Sequence, residues 1–95
     1  MTTKTIKDGT VADAYLQLLA DRGIDYFFGN AGTDFAPLIE SFAKAQALGT
    51  PTPKAIMVPH ENVAIHMAMG YTVVTGKPQV VMVHVNVGTA NSLNG

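Results

Sequence analysis

The sequence predicts an α/β fold, a parallel sheet with helices on both faces in a three-layer arrangement. Two observations carry that prediction. Short runs of β-branched and aromatic residues alternate along the chain with longer segments whose apolar residues recur at helical spacing. Glycine or proline punctuates the junctions between them. Strands separated by helical crossovers pair in parallel through right-handed connections, which leaves helices to cover the sheet.

Residues 1–8 form a polar lead-in. Thr10 is the expected N-cap of the first helix. Asp13 stands three residues on, a variant of the capping box, and Val11, Ala14, Tyr15, Leu18 and Leu19 follow at helical spacing. Gly23 closes this helix as a left-handed C′ residue. The run 24–28, Ile-Asp-Tyr-Phe-Phe, is short, aromatic and bounded by glycine, as a buried strand requires. The turn 29–34, Gly-Asn-Ala-Gly-Thr-Asp, is rich in residues that tolerate positive φ.

A second helix is expected over 34–48, with Phe35, Leu38, Ile39 and Phe42 on one face and Pro37 in its first turn, where proline is tolerated. The loop 49–54 holds two prolines, and 55–58 is the second strand. A third helix is expected over 61–74, with Val63, Ala64, Met67, Ala68 and Tyr71 apolar, and Gly76-Lys77-Pro78 stops it. Residues 79–83 form the third strand, and 85–91 a loop opening a further helix. Three strands are only part of such a sheet. The 95 residues are therefore expected to be the N-terminal part of one domain (1–95), with the remaining domains of a longer parent chain absent.

Composition excludes several classes of function. Apolar residues at 47% and charged residues at 14% argue against disorder. A formal net charge of -1 offers no basic face for nucleic acid. The absence of cysteine rules out disulfides and thiolate chemistry. The polar N-terminus lacks a signal peptide's apolar run, and no apolar stretch is long enough to span a membrane. The expectation is a cytoplasmic protein with neither a nucleic-acid nor a membrane partner.

In open α/β sheets, ligands bind beyond the carboxyl ends of the strands. Three such ends contribute Gly29-Asn30-Ala31-Gly32-Thr33, His60-Glu61-Asn62, and His84-Val85-Asn86-Val87-Gly88-Thr89. The first loop, Gly-x-x-Gly, lacks the third glycine and later acid of a dinucleotide fingerprint, so Gly29 and Gly32 are better read as turn glycines. Thr33 or Asp34 can cap the following helix.

Glu61 also has two readings. A glutamate in a helix's first turn is favoured by the macrodipole by about 0.3–1 kcal/mol, and that alone accounts for its presence. Directly after an apolar strand, however, a carboxylate is partly desolvated. That raises its pKa and lets it share a proton with a ligand. His60, His66 and His84 show no metal-ligand spacing. His66 is expected to be structural or on the surface, whereas His84, closing a strand, is placed to act as acid or base near neutrality. Met57, Met67 and Met69 read as core filler.

Taken together, the loops resemble the N-terminal pyrimidine-binding domain of the thiamine-diphosphate-dependent enzymes, the family that includes acetolactate synthase, benzoylformate decarboxylase and pyruvate decarboxylase. The resemblance is carried by His60-Glu61-Asn62-Val63-Ala64-Ile65-His66-Met67-Ala68-Met69-Gly70-Tyr71, then Thr75-Gly76-Lys77-Pro78 and Gly88-Thr89-Ala90-Asn91, with Phe28-Gly29-Asn30-Ala31-Gly32-Thr33 matching in place. It covers residues 10 to 95 in the right order and spacing.

The resemblance implies that Glu61 hydrogen-bonds the N1′ nitrogen of the cofactor's aminopyrimidine and so activates thiamine diphosphate. It implies that Gly32, Gly88 and Asn91 contact the cofactor, and that the substrate is a 2-keto acid undergoing decarboxylation or carboligation. His84 and the Gly-Asn-x-Gly-Thr loop look more like benzoylformate decarboxylase, where a serine and a histidine handle substrate. Thr33 and His84 are the matching candidates. Ala31 replaces the family's usual proline and Thr33 its serine, so substrate identity is not carried over.

The family's Mg²⁺ and diphosphate are held by a second domain through a Gly-Asp-Gly motif that this sequence lacks. The implied parent is a homodimer or homotetramer, and the 95-residue portion alone is expected to be inactive. The competing reading is a non-catalytic α/β module or nucleotide-binding fold, with Glu61 as a helix N-terminal carboxylate.

Overall fold

The computed structural model describes residues 5, 9–30, 32 and 35–93. The elements are α1 (Val11–Asp21), β1 (Tyr26–Gly29), α2 (Ala36–Leu48), β2 (Lys54–Met57), α3 (Glu61–Thr75), β3 (Val80–Met82) and α4 (Val85–Ser92). The three strands make one parallel sheet in the order β2-β1-β3. Tyr26 to Gly29 lie opposite Lys54 to Met57 on one side, and Phe27 to Gly29 lie opposite Val80 to Met82 on the other.

That order sets the layers. The crossover through α2 leaves β1 in one direction, and the crossover through α3 returns past β1 in the other. With both connections right-handed, the two helices fall on opposite faces. The alternation of side chains along β1 matches. Phe27 meets Phe42 of α2 edge-on, with ring centroids 5.7 Å apart. Phe28 turns the other way into a cluster with Val58, Ala64 and Ala68, flanked by Tyr26, Ile56 and Val81. The predicted α/β fold with helices on both faces of a parallel sheet is therefore the observed one.

The N-terminus of α1 is built as expected. Thr10 Oγ1 accepts from the Asp13 amide at 3.2 Å, while the Asp13 carboxylate accepts from the Thr10 amide at 3.0 Å. The buried face differs from the predicted stripe: Asp13 and Leu16 are inside, whereas Val11, Tyr15 and Leu18 are exposed. The cause is that α1 packs on α2 rather than on the sheet. Asp13 and Leu16, three apart, point at α2, and Lys44 of α2 donates to Asp13 at 2.9 Å.

The other boundaries shift by a residue or two, except at the C-terminal end. There, helix α4 begins directly at Val85 instead of after a loop over 85–91. The stretch Val-Asn-Val-Gly-Thr is poor in strong helix formers, which hides the helix from a propensity reading. Val85 enters it at φ +42, a left-handed conformation that strains a β-branched residue. The capping expected of Asp34 falls outside the described residues.

At the amino end of the sheet, Gln79 Oε1 accepts from the amides of Asp25 and Tyr26 at 3.2 and 2.7 Å. The Tyr71 hydroxyl donates to Asp25 at 2.5 Å, and Lys77 approaches the same carboxylate at 3.5 Å. The far end of α3 is thus pinned to the entry of β1. Among the described residues no helix is long and apolar enough to cross a membrane.

Two predictions follow from this packing. Leu16, 1% exposed, fills the α1–α2 seam, so Leu16→Ala should lower unfolding free energy by about 2–5 kcal/mol in a denaturant titration. The bond to Asp25, followed by burial, pushes the Tyr71 hydroxyl up to about 12. A pKa raised on folding contributes stability that is complete below the ordinary value of 10.0 and lost as pH climbs towards 12. Tyr71→Phe should flatten the fall of the thermal midpoint across that window, and an unchanged alkaline slope would refute the bond's contribution.

Candidate functional site

The carboxyl ends of all three strands open on one edge of the sheet, because the strands are parallel. β1 delivers Gly29 and Asn30, the chain after β2 delivers Pro59, His60 and Glu61, and the chain after β3 delivers His84 and the start of α4. The first two ends are stitched together one step past the ladder. The Val58 amide donates to the Gly29 carbonyl at 2.9 Å, and Asn30 Nδ2 donates to the Pro59 carbonyl at 3.0 Å.

Glu61 occupies the first position of α3, and His60 caps that helix by accepting from the Asn62 amide at 3.1 Å through Nδ1. The glutamate is only 8% exposed. Helix α4 packs against α3 and supplies two further groups at its carboxylate. Asn91 Nδ2 donates to Oε1 at 3.2 Å, and Gly88 lies so close that a Cβ there would come within 3.2 Å of Oε2. The Asn62 side chain reaches the Asn91 carbonyl at 3.5 Å, a further link between the two helices.

The charge state of Glu61 runs against the expectation drawn from burial. Its carboxyl is held below the ordinary glutamate value, first by its own backbone N–H and next by the Asn91 amide, with His60 and Asn30 adding to the effect. Desolvation pushes the other way and is outweighed. The group is therefore an anion near neutrality, at a helix N-terminus where the backbone favours negative charge.

His84 caps α4, and its carbonyl accepts from the Gly88 amide at 3.0 Å. Its imidazole lies under Gly32: a Cβ on Gly32 would stand 2.5 Å from ring atoms of His84. Gly32 thus serves close approach, which a turn-only role would not require. The two glycines link the groups, since Gly32 faces His84 and Gly88 faces Glu61.

Glu61, Gly88 and Asn91 are in direct apposition, and His84 and Gly32 form the neighbouring contact. Thr33 lies outside the described residues. His66 stands apart, exposed, with Nδ1 bonded to the Asn62 carbonyl at 2.8 Å. Asn30 was not legible as a site residue. The available signal was its place as a carboxamide directly after the first strand's closing glycine.

Chemically, the site offers one buried anionic acceptor beside two positions that carry no side chain and one imidazole. A flat heteroaromatic ring bearing a nitrogen that can share a proton with a carboxylate suits this set. Among the described residues no cluster of His, Cys, Asp and Glu could hold a metal ion.

Residues 9–95 match the family model described as thiamine pyrophosphate enzyme, N-terminal TPP binding domain. The acetolactate synthase large subunit of Haemophilus influenzae is 34% identical over 84 residues, covering 88% of this chain and 14% of the relative. That of Buchnera aphidicola from Acyrthosiphon pisum is 32% identical with the same coverage. The benzoylformate decarboxylase of Pseudomonas aeruginosa is 29% identical over 84 residues, 88% of this chain and 15% of the relative. The chain therefore spans about one seventh of the length of these relatives.

The Gly32–His84 contact is directly testable. Gly32→Ala should displace the imidazole, because a Cβ at 2.5 Å from the ring cannot be accommodated in place. The His84 ring resonances should move in an NMR spectrum while those of Phe28 in the core stay fixed. Unmoved His84 resonances would contradict the packing.

Proposed function

The chain belongs to the thiamine pyrophosphate enzymes, as their N-terminal TPP-binding domain, and on that premise we propose that Glu61 is the carboxylate that activates the cofactor. The observation carrying this reading is a buried, ionised glutamate at a strand's carboxyl end, held by Asn91 and with Gly88 packed against it. Bound thiamine diphosphate supplies a thiazolium that stores the electron pair released when a 2-keto acid loses carbon dioxide.

The chain's own residues have narrower tasks. Glu61 would hold the aminopyrimidine through a proton shared with N1′: that nitrogen carries no hydrogen of its own, so the carboxyl takes up the proton first and donates it to the ring. Once N1′ carries that proton the carboxylate is its acceptor, and the charge makes this bond stronger than a neutral one would be. Asn91 and the Glu61 backbone N–H fix the carboxylate so that little reorganisation is needed when the ring arrives. Gly32 and Gly88 let His84 and Glu61 take their places, since a Cβ at either glycine would crowd those side chains. His84, together with Thr33 from the loop after the first strand, contacts the substrate, and His84 handles a proton there.

The parent enzyme acts on a 2-keto acid as a decarboxylase or carboligase, both activities being represented among the named relatives. Residues 1–95 are the opening part of its pyrimidine-binding domain, inactive alone. Mg²⁺ and the diphosphate belong to a further domain, and the parent assembles as a homodimer or homotetramer in the cytoplasm. Family membership favours this reading over a nucleotide-binding or non-catalytic module.

In the full-length enzyme, Glu61→Gln should slow deuterium exchange at the cofactor's C2 by about 10²–10⁴-fold, the range for loss of a positioned acid or base. Exchange at the parent rate would sink the assignment.

A further inference from the structure

Helix α3 opens on a histidine instead of a hydroxyl or carboxylate cap. His60 accepts from the Asn62 amide at 3.1 Å through Nδ1. An imidazole nitrogen that accepts carries no hydrogen, so the capping form is neutral, with its proton on Nε2. His66, four residues beyond Asn62, makes the opposite choice. Its Nδ1 meets the Asn62 carbonyl at 2.8 Å, and a carbonyl calls for a donor. Asn62 thus sits between two histidines, and of these bonds only the one to His60 is lost on protonation. The Asn62 side chain also reaches the Asn91 carbonyl at 3.5 Å, and Asn91 donates to Glu61 at 3.2 Å.

We propose that neutral His60 is a positioning residue for Glu61, and that its protonation frees the first turn of α3. The inference rests on Glu61 being the contact to the aminopyrimidine. Glu61 lies between the cap and the capped amide, as the first residue of the helix, so that turn sets where its carboxylate starts from. A protonated ring presents a hydrogen at Nδ1, where the Asn62 amide needs an acceptor. It also adds positive charge to a helix N-terminus, which the macrodipole disfavours. Glu61 is the charged group beside His60, and its attraction draws the imidazolium off the cap towards the carboxylate. Asn30 after β1 and Asn91 of α4 are uncharged, and His84 lies across β1, against Gly32. An ordinary histidine titrates near neutrality, whereas the Glu61 carboxyl is held below the usual glutamate value, so the two events are separate in pH.

The test compares His60→Ala and His60→Asn with the parent in the full-length enzyme, at about pH 8 and about pH 6, on either side of histidine's ordinary value. Asparagine keeps a capping acceptor and does not titrate. In cofactor-free protein, hydrogen exchange over the start of α3 is read by mass spectrometry. His60→Ala should lose protection about fivefold relative to His60→Asn at both pH values, the scale of one lost N-cap. The parent should match asparagine at the higher pH and fall towards alanine at the lower one. In the loaded enzyme, exchange at the cofactor's C2 should follow the same order, with His60→Asn escaping the fall that the parent shows between the two.

A cap of purely structural value would lower the thermal midpoint in His60→Ala and leave His60→Asn with the parent's pH profile. Parent protection that stands in the same ratio to asparagine at both pH values overturns the inference, as does parent-like C2 exchange in His60→Ala. If His60→Ala does not fold, the comparison of the parent with His60→Asn decides in the same way. A normal C2 exchange rate in Glu61→Gln instead removes the role of Glu61 while leaving the protection pattern of α3 intact, so the two failures are distinguishable.

Discussion

The site depends on keeping a carboxylate ionised where burial opposes it. A glutamate 8% exposed loses much of its hydration, and desolvation alone would leave it protonated more readily than in water. Four sources of compensation converge: the backbone N–H at the start of α3, the Asn91 amide from α4, the His60 side chain at the α3 N-cap and the Asn30 amide after β1. The first and third are local to α3, and the other two come from distant elements. The depth of the shift at Glu61 is therefore a property of the assembled fold, and a helix excised with its glutamate would keep only the local sources.

The strand order makes that convergence possible. Placing β1 between β2 and β3 sends the two crossovers to opposite faces, so the edge beyond β1 is left open between the chains that leave its neighbours. Glu61 follows β2 and His84 follows β3, on either side of this opening. Gly32 and Gly88 lie against His84 and Glu61, respectively, where any Cβ would intrude. The glycines are consequences of how closely the elements must approach, and the left-handed glycines at 23, 49 and 76 have the separate task of ending or turning chain segments.

Much of this was legible in the sequence. The alternation of strand and helix, the capping box at Thr10 and Asp13, and the grouping of polar residues at strand ends all follow from local chemistry. Three features were not. The inward face of α1 is set by contact with α2, so Asp13 and Leu16 are buried while Val11 is exposed; periodicity marks a stripe without naming what it packs against. Helix α4 was hidden by weak propensity and is held by its packing on α3. The direction of the Glu61 shift reversed because its own backbone N–H at the helix start, and next the Asn91 amide 30 positions away, outweigh the burial that a preceding apolar strand implies.

Helix α3 joins the two ends of the sheet, and the difference between its ends bears on how the site is held. Its C-terminal half is locked to the entry of β1 by Tyr71, Asp25 and Lys77, a network that touches no site residue. Its N-terminus carries Glu61 ten residues from Tyr71, about 15 Å along a rigid helix. An anchor at one end limits movement at the other, so the site amides need only fix the carboxylate's rotation. The opposite wall is built differently. Val85 at φ +42 turns the chain sharply from β3 into α4, directly after His84, at a conformational cost typically of about 1–3 kcal/mol. A residue without a Cβ would relax that turn, but it would also loosen the path that brings Gly88 and Asn91 back to Glu61. One wall of the site is thus anchored at a distance and the other is tied in locally through Asn91, and the carboxylate lies where the two meet.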